Sequence, residues 1–191
     1  MEILKVAAFS GSFQRESLNK KALKVALKIA QKYGAEVKEI DLAELNLPIY
    51  NQDVENPFPD SVKKLRDIAA WADVFLISSP EHNHSISAGL KNTIDWLSRK
   101  YEETIRGKAA IILGVSVGNS GTLRGQAHLR QILEALDMFI VFQPEVIIAN
   151  GTQKFDADGN MTDEKSLAAL DALIKKTFDQ YIKIKTTNDV I

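Results

Sequence analysis

The residues from Ser10 to Asn19 form the stretch of this sequence best suited to bind an anion. They read Ser-Gly-Ser-Phe-Gln-Arg-Glu-Ser-Leu-Asn, after an apolar run at Ile3 to Phe9 and before a helical pattern that begins near Ser17. A helix N-terminus presents unpaired backbone N–H groups and the positive end of the helix dipole, so a phosphate placed there meets aligned donors. Arg15 adds a guanidinium fork that suits phosphate oxygens. This strand, loop and helix therefore predict a phosphate site.

The same loop carries further polar donors, and its glycine content separates it from two better-known phosphate loops. The hydroxyl and amide donors come from Ser10, Ser12, Ser17 and Asn19. Neither the P-loop nor the dinucleotide fingerprint is present, because Gly11 lacks the further glycines that each motif requires. A plainer interpretation stays open for the loop alone, in which Ser17 only caps the helix and Arg15 is a solvated loop residue.

The composition indicates a soluble chain of one domain, spanning residues 1–191, with a core large enough to fold without a disulfide. There is no cysteine, which excludes disulfides and zinc-thiolate sites. Met1 is followed directly by Glu2 and a predicted strand, and no apolar run has the length of a membrane span. We expect a cytoplasmic protein that does not contact a membrane.

The charge balance argues against nucleic acid as a partner. Twenty-four basic and twenty-five acidic residues give a net charge of −1, so there is no basic footprint for a phosphate backbone. Small molecules and further copies of the chain are the expected partners. A basic cluster on the first helix is interpreted as a solvated outer face, and it consists of Lys20, Lys21, Lys24 and Lys28.

Predicted strands alternate with predicted helices along the rest of the sequence. The strands fall at 3–9, 36–42, 74–77, 109–115 and 138–148, and Pro144 must interrupt the last one. Thr162 is predicted to cap the final helix. The alternation predicts an α/β fold, a three-layer doubly wound sandwich around a five-stranded parallel sheet. One known strand order of such sheets is the flavodoxin-like 2-1-3-4-5, and we expect that order here. Ligands then bind at the carboxyl ends of strands one, three and four.

The loops after the third and fourth strands complete a resemblance to a known family. The third strand is followed by Pro80-Glu81-His82-Asn83 and then by Leu90-Lys91-Asn92-Thr93-Ile94-Asp95-Trp96. The fourth is followed by Ser116 to Gly121 and by Arg-x-Gln-x-x-Leu-Arg at Arg124 to Arg130. With Gly-Ser-x-x-x-x-Ser-x-Asn at Gly11 to Asn19, these segments resemble the NADPH-dependent FMN reductase family of flavodoxin-like quinone, azo and chromate reductases.

The resemblance implies a flavin site with FMN as cofactor and NADPH or NADH as co-substrate. It assigns the FMN phosphate and ribityl chain to Ser10, Ser12, Arg15, Ser17, Leu18 and Asn19. It assigns the border of the isoalloxazine ring to Pro80, Glu81, His82, Asn83, Ser85, Ser116, Val117, Gly118 and Gly121. Proline and glycine let backbone approach a flat ring closely, and the flavin itself carries the hydride chemistry. We therefore predict no catalytic residue in the narrow sense.

The histidines raise two other interpretations. His82 stands where the family more often has tyrosine, and a titrating imidazole there would alter the flavin's surroundings. His82 and His84 resemble a metal pair only superficially, because no third ligand is near them in sequence, and we predict no metal site. His128 is interpreted as structural.

The predicted function is reduction of a quinone-like acceptor, another flat acceptor or free FMN by NADPH or NADH through bound FMN. A flavodoxin-type electron carrier and a non-enzymatic flavin-binding module remain alternatives with the same fold. The nearly neutral charge disfavours a carrier, because carriers present strongly acidic docking faces.

A homodimer or homotetramer is also expected. Trp96 lies off the apolar stripe of its helix, so we predict that it contacts a second subunit. The resemblance places four charged residues near subunit contacts: Asp95, Arg99, Arg124 and Glu145.

Overall fold

The fold comes from a computed structural model, which describes residues 3–188. The outermost residues of the predicted domain, 1–2 and 189–191, lie outside the described residues. The strands are β1 Lys5–Ser10, β2 Glu36–Ile40, β3 Val74–Ser78, β4 Ala109–Val115, β5 Phe139–Ile140 and β6 Val146–Ile148. The helices are α1 Leu18–Lys32, α2 Leu42–Leu45, α3 Asp60–Trp71, α4 Ala88–Leu97, α5 Leu123–Glu134 and α6 Glu164–Asn188.

The strands form one parallel sheet in the order β2-β1-β3-β4-β5, which confirms the predicted flavodoxin-like order. The last of the five predicted strands, at 138–148, is divided into β5 and β6, as the interruption predicted at Pro144 requires. Pro144 lies between them and has no backbone N–H to donate to a ladder. Both pieces pair with β4, β5 at Ala109 and Ala110 and β6 further along the strand.

Alternation along the strands divides the core between the two faces of the sheet. In β1, Val6 and Ala8 pack with α1 and α6, whereas Ala7 and Phe9 pack on the opposite side with α3, α4 and α5. Strands buried on both faces need continuous apolar runs, and β3 and β4 are buried along their whole lengths. Across residues 3–188, every helix is too short or too polar to cross a membrane.

The cap of α6 differs from the prediction by one residue. Asp163, not Thr162, accepts the backbone N–H of Ser166 at 3.0 Å and the Ser166 hydroxyl at 2.5 Å. The same carboxylate forms an ion pair with Lys154, and together these contacts lower the pKa of Asp163 to about 2. A charged acceptor satisfies the first turn of a helix better than a hydroxyl does.

The prediction that Trp96 faces a second subunit is wrong. Its side chain is fully buried within the single chain, and its indole Nε1 donates to the Pro48 carbonyl at 2.8 Å. Tyr50 and Phe58 pack edge-on against it, at centroid distances of 5.1 and 6.4 Å. The connection between β2 and α3 therefore folds back over α4. It covers the face of α4 that carries Trp96, which the spacing of apolar residues on that helix predicted to be exposed.

We expect Trp96→Ala to lower the free energy of unfolding by about 3–5 kcal/mol, the usual cost of removing a large buried aromatic side chain. Urea denaturation followed by circular dichroism measures it. Val54→Ala is the control, because Val54 lies in the same covering connection but is 42% exposed. Equal stability of the Trp96 variant and the control would contradict the burial of Trp96.

Candidate functional site

Three loops meet at the carboxyl edge of the sheet. The N–H of Gly11 donates to the Ser78 carbonyl at 2.9 Å, and the N–H of Ser79 donates to the Leu113 carbonyl at 2.8 Å. A Cβ atom on Gly11 would lie only 3.0 Å from Leu90 and 3.2 Å from Pro80, so glycine permits this close approach. The loops after β1, β3 and β4 thus start side by side, as the strand order predicts.

Asn19 lies at this junction and is used by the protein itself. Its buried amide donates to the Val115 carbonyl at 2.9 Å and accepts the Val115 N–H at 3.0 Å. It also accepts the Ser78 hydroxyl at 3.0 Å. The side chain of Asn19 therefore joins α1 to the ends of β3 and β4, and the predicted contact of this residue with the phosphate stays a prediction.

The first loop presents an open helix N-terminus. Ser17 is the N-cap of α1, and its hydroxyl oxygen accepts the N–H groups of Asn19 and Lys20 at 3.1 and 3.5 Å. The first turn of α1, all of it within the described chain, carries no acidic residue. The positive end of the helix dipole is therefore left for an external anion.

The predicted loop residues differ in how accessible they are. Arg15 is exposed and has no ion-pair partner among the described residues, whereas Ser12 and Leu18 are half-buried. Ser10 is buried, and its hydroxyl accepts the Ser12 N–H at 3.2 Å, which orders the turn. Arg15 and the backbone at the start of α1 are thus the freest donors of the loop.

A basic cavity of about 260 Å³ adjoins this loop. Lys20, at its edge, pairs with Asp41 at 2.8 Å and is largely covered, so the interpretation of the lysine cluster as a solvated face is wrong for this residue. Lys24 and Lys28 are exposed as predicted. The cavity is lined by Arg15, Glu16, Ser17, Lys20, Lys21, Lys24, Ala157, Asp158 and Gly159.

The loop after β3 is a tight hairpin. His82 and Ser85 exchange backbone hydrogen bonds of 2.9 and 3.0 Å, and the two residues between them, Asn83 and His84, have positive φ values of 49° and 67°. This conformation is that of a two-residue primed turn. His82 is exposed at the turn and Pro80 is buried at its base. The backbone of the hairpin therefore has a fixed shape before any ligand binds.

The side chain of Glu81 is not free to contact a cofactor. It is only 8% exposed, and its carboxylate accepts the backbone N–H groups of Arg124 and Gly125, both at 3.0 Å. The Glu81 carboxylate is a cap on α5, and the predicted contact of this residue with the cofactor stays a prediction. Only the backbone of Glu81 stays available to a ligand.

The three histidines lie in two places: His128 is on α5, and His82 and His84 are in the hairpin after β3. His128 Nδ1 lies 3.0 Å from the Ser85 hydroxyl, so this residue on α5 supports the hairpin. Within residues 3–188, no three histidine, aspartate or glutamate side chains are grouped so as to hold a metal ion, and the expected absence of a metal site stays a prediction.

The loop after β4 is ordered by its own serine. The Ser116 hydroxyl donates to the Gly118 carbonyl at 3.0 Å and accepts the Gly121 N–H at 3.1 Å. Val117 is 70% exposed, and a Cβ atom on Gly118 would meet no other atom within 4 Å. The loop thus offers an accessible edge of backbone beside the His82 hairpin.

Sequence reasoning missed Ser87 and Phe13. The Ser87 hydroxyl caps α4 at Leu90 and also donates to the Gly11 carbonyl at 2.6 Å, which ties the first loop to α4. A serine three residues before a helical apolar position is a capping signal, but its second bond depends on tertiary structure. Phe13 lies over Gly89, where any Cβ atom would clash with its ring at 2.5 Å.

The sheet order and the helices on both faces are those of a flavodoxin-like protein, and the loops at one edge present a helix N-terminus without an acidic residue in its first turn beside accessible backbone. A family model for NADPH-dependent FMN reductases matches residues 4–153, so the chain belongs to that family. It is 40% identical over 164 residues to an NAD(P)H-dependent FMN reductase of Pseudomonas aeruginosa, covering 85% of this chain and 87% of the relative. It is 34% identical to a 2-hydroxy-1,4-benzoquinone reductase of Burkholderia, with coverages of 91% and 93%.

A solved structure resembles the whole described chain. It is a flavoenzyme NAD(P)H:(acceptor) oxidoreductase from Paracoccus denitrificans, with a TM-score of 0.83 and 33% identity over 95% of this chain and 98% of the other. Family membership makes the chain a flavin-dependent oxidoreductase that uses FMN and NAD(P)H. The uncompensated α1 N-terminus, the free Arg15 and the accessible backbone of two loops fit such a cofactor chemically.

Proposed function

We propose that this chain reduces a quinone-like acceptor, with flat acceptors such as azo dyes or free FMN as further substrates. The supporting observation is the shape of the two ring-bordering loops. Residues 80–85 and 116–121 contain no tryptophan or tyrosine, and Val117 and His82 are exposed. Such loops leave one face of a bound ring open to a second flat molecule. The Burkholderia relative is named for a benzoquinone substrate, which supports the same class.

The proposed roles of the residues follow their accessibility. Arg15, Ser12, Ser17 and the backbone at Leu18 hold the phosphate, since they surround the positive end of α1, which has no acidic residue in its first turn. Backbone groups of Pro80–Asn83 and Ser116–Gly121 orient the ring. Ser10, Asn19 and Ser85 fix the loops from behind. When bound, FMN supplies the redox chemistry by taking a hydride from NADPH or NADH and passing electrons to an acceptor.

The chain is proposed to act as a single domain in the cytoplasm, where NADPH and NADH are available. It is further proposed to form a homodimer or homotetramer. A cavity of about 450 Å³ beside the first loop, lined by Phe13, Leu47, Ile49 and Tyr50, supports self-association. Phe13 and Ile49 are 51% and 86% exposed, which is high for large apolar side chains. The charged residues Asp95, Arg99, Arg124 and Glu145 lie within 4 Å of opposite charges of the same chain.

Light scattering at micromolar concentration is expected to give a mass at least twice that of the 21.2 kDa chain. Ile49→Asp is expected to lower that mass, because a charge cannot be buried in an apolar contact without a partner. Ile3→Asp is the matched control. Ile3 is also exposed, but it lies just before β1, whereas the first loop follows the other end of that strand. A wild-type monomer would overturn the proposal.

Arg15→Ala is expected to weaken FMN binding by about 1.5–3 kcal/mol, the range for a charge-assisted hydrogen bond. The fold is expected to stay intact, because Arg15 is an exposed loop residue. Fluorescence titration with FMN measures the affinity, and circular dichroism measures the fold. Lys28→Ala removes the same charge from an exposed site further along α1 and is expected to change little. Unchanged affinity in a folded Arg15 variant would mean that the phosphate lies elsewhere.

Anaerobic mixing separates a reductase from an electron carrier. NADPH, or NADH less efficiently, is expected to bleach the visible flavin absorbance, and a quinone added afterwards is expected to restore it. Stopped-flow absorbance follows both steps. If dithionite reduces the flavin but neither nicotinamide does, the carrier alternative replaces the reductase. A purified protein that does not bind FMN would exclude both.

A further inference from the structure

The Glu81 carboxylate caps helix α5 at Arg124, 43 residues later in the chain. It accepts the N–H groups of Arg124 and Gly125 at 3.0 Å, and its second oxygen lies 3.5 Å from the Arg124 guanidinium. Helix α5 has no cap of its own: Thr122, at the N-cap position, has a φ of +74° and makes no side-chain capping bond. Glu81 therefore satisfies donors that the local sequence leaves open.

This cap joins the two loops that are proposed to border the flavin ring. Glu81 belongs to the loop after β3, whereas α5 starts directly after Ser116–Gly121. Close packing at Gly125 also joins the two loops. A Cβ atom on Gly125 would lie 3.2 Å from the Ser85 carbonyl oxygen, so the start of α5 lies directly against the loop after β3. The distance between the loops is thus fixed by packing around Gly125 and by two hydrogen bonds to the nearly buried Glu81 carboxylate.

The cap also changes the electrostatic field at the site. The N-terminus of α5 and the nearby Arg124 are both positive, and the Glu81 carboxylate neutralises them. Helix α1 has no such carboxylate in its first turn, so the two helix N-termini differ in their field. A reduced flavin carries more negative charge than an oxidised one. An unneutralised positive end of α5 would therefore stabilise the reduced flavin relative to the oxidised one.

We propose that Glu81 is a positioning residue of the reductase: it holds the two ring-bordering loops at a fixed distance, and its charge keeps the reduction potential of the bound flavin low by cancelling the positive end of α5. This inference rests on the proposed placement of the flavin ring between these loops. It assigns to Glu81 no direct contact with the flavin through its side chain.

Two variants separate the charge from the hydrogen bonds. Glu81→Gln keeps an oxygen that can accept the α5 N–H groups but removes the charge, and we expect a more positive flavin midpoint potential with FMN affinity changed only a few-fold. Glu81→Ala removes the acceptor as well, and we expect FMN to bind roughly tenfold more weakly or worse, from the loss of charged hydrogen bonds. Potentials are read spectroscopically against a reference dye, and affinities by flavin fluorescence.

Glu134→Gln is the matched control, because Glu134 is exposed at the other end of α5 and loses the same charge. Both its potential and its FMN affinity are expected to equal those of the wild type. An unchanged potential in Glu81→Gln overturns the electrostatic role, and normal FMN affinity in a folded Glu81→Ala overturns the positioning role. If Glu81→Ala does not fold, the flavin potential of Glu81→Gln decides the electrostatic role. The FMN affinity of Glu81→Gln relative to the wild type then decides whether a neutral hydrogen-bond acceptor is enough to position the loops. Wild-type protein that binds no FMN would instead overturn the proposed function.

Discussion

The amide of Asn19 is the contact on which the whole site depends. It binds both backbone groups of Val115 and the hydroxyl of Ser78, so one buried side chain fixes the start of α1 against the ends of β3 and β4. A buried amide that lost these partners would leave unpaired polar groups in the core, at a cost of about 1–3 kcal/mol each. The three loops are therefore held in register from inside the protein, and their outer faces remain free for a ligand.

Helices α1 and α5 both start at the carboxyl edge of the sheet, but their N-termini differ in charge compensation. Helix α1 leaves its positive end open, next to an exposed arginine, whereas α5 receives a carboxylate from a distant loop. An anion is therefore attracted to one side of the site and not to the other. A cofactor with a phosphate at one end and a neutral flat ring at the other matches this asymmetry.

Local patterns in the sequence determined the fold and the kind of site. Apolar runs of strand length depend only on neighbouring residues, so β3 and β4 were predicted within one residue of their bounds. The parallel, doubly wound sheet followed from the alternation of strands and helices, because parallel strands need crossovers. The Ser17 cap at the start of α1 was visible in the sequence from Ser10 to Asn19 for the same reason, since a cap and a loop are local features.

Tertiary structure alone decided what several of these residues do. Asn19 meets Val115 across 96 residues, Trp96 meets Pro48 across 48, and Glu81 meets Arg124 across 43. Helical spacing marked Trp96 as unusual but assigned it to a subunit contact, which is wrong, and the partners of Asn19 and Glu81 within the protein were not predicted at all. A polar or aromatic side chain is satisfied by whichever group packing brings within reach, and periodicity within one helix does not contain that information. The residue types were thus set by sequence, and their partners by the folded chain.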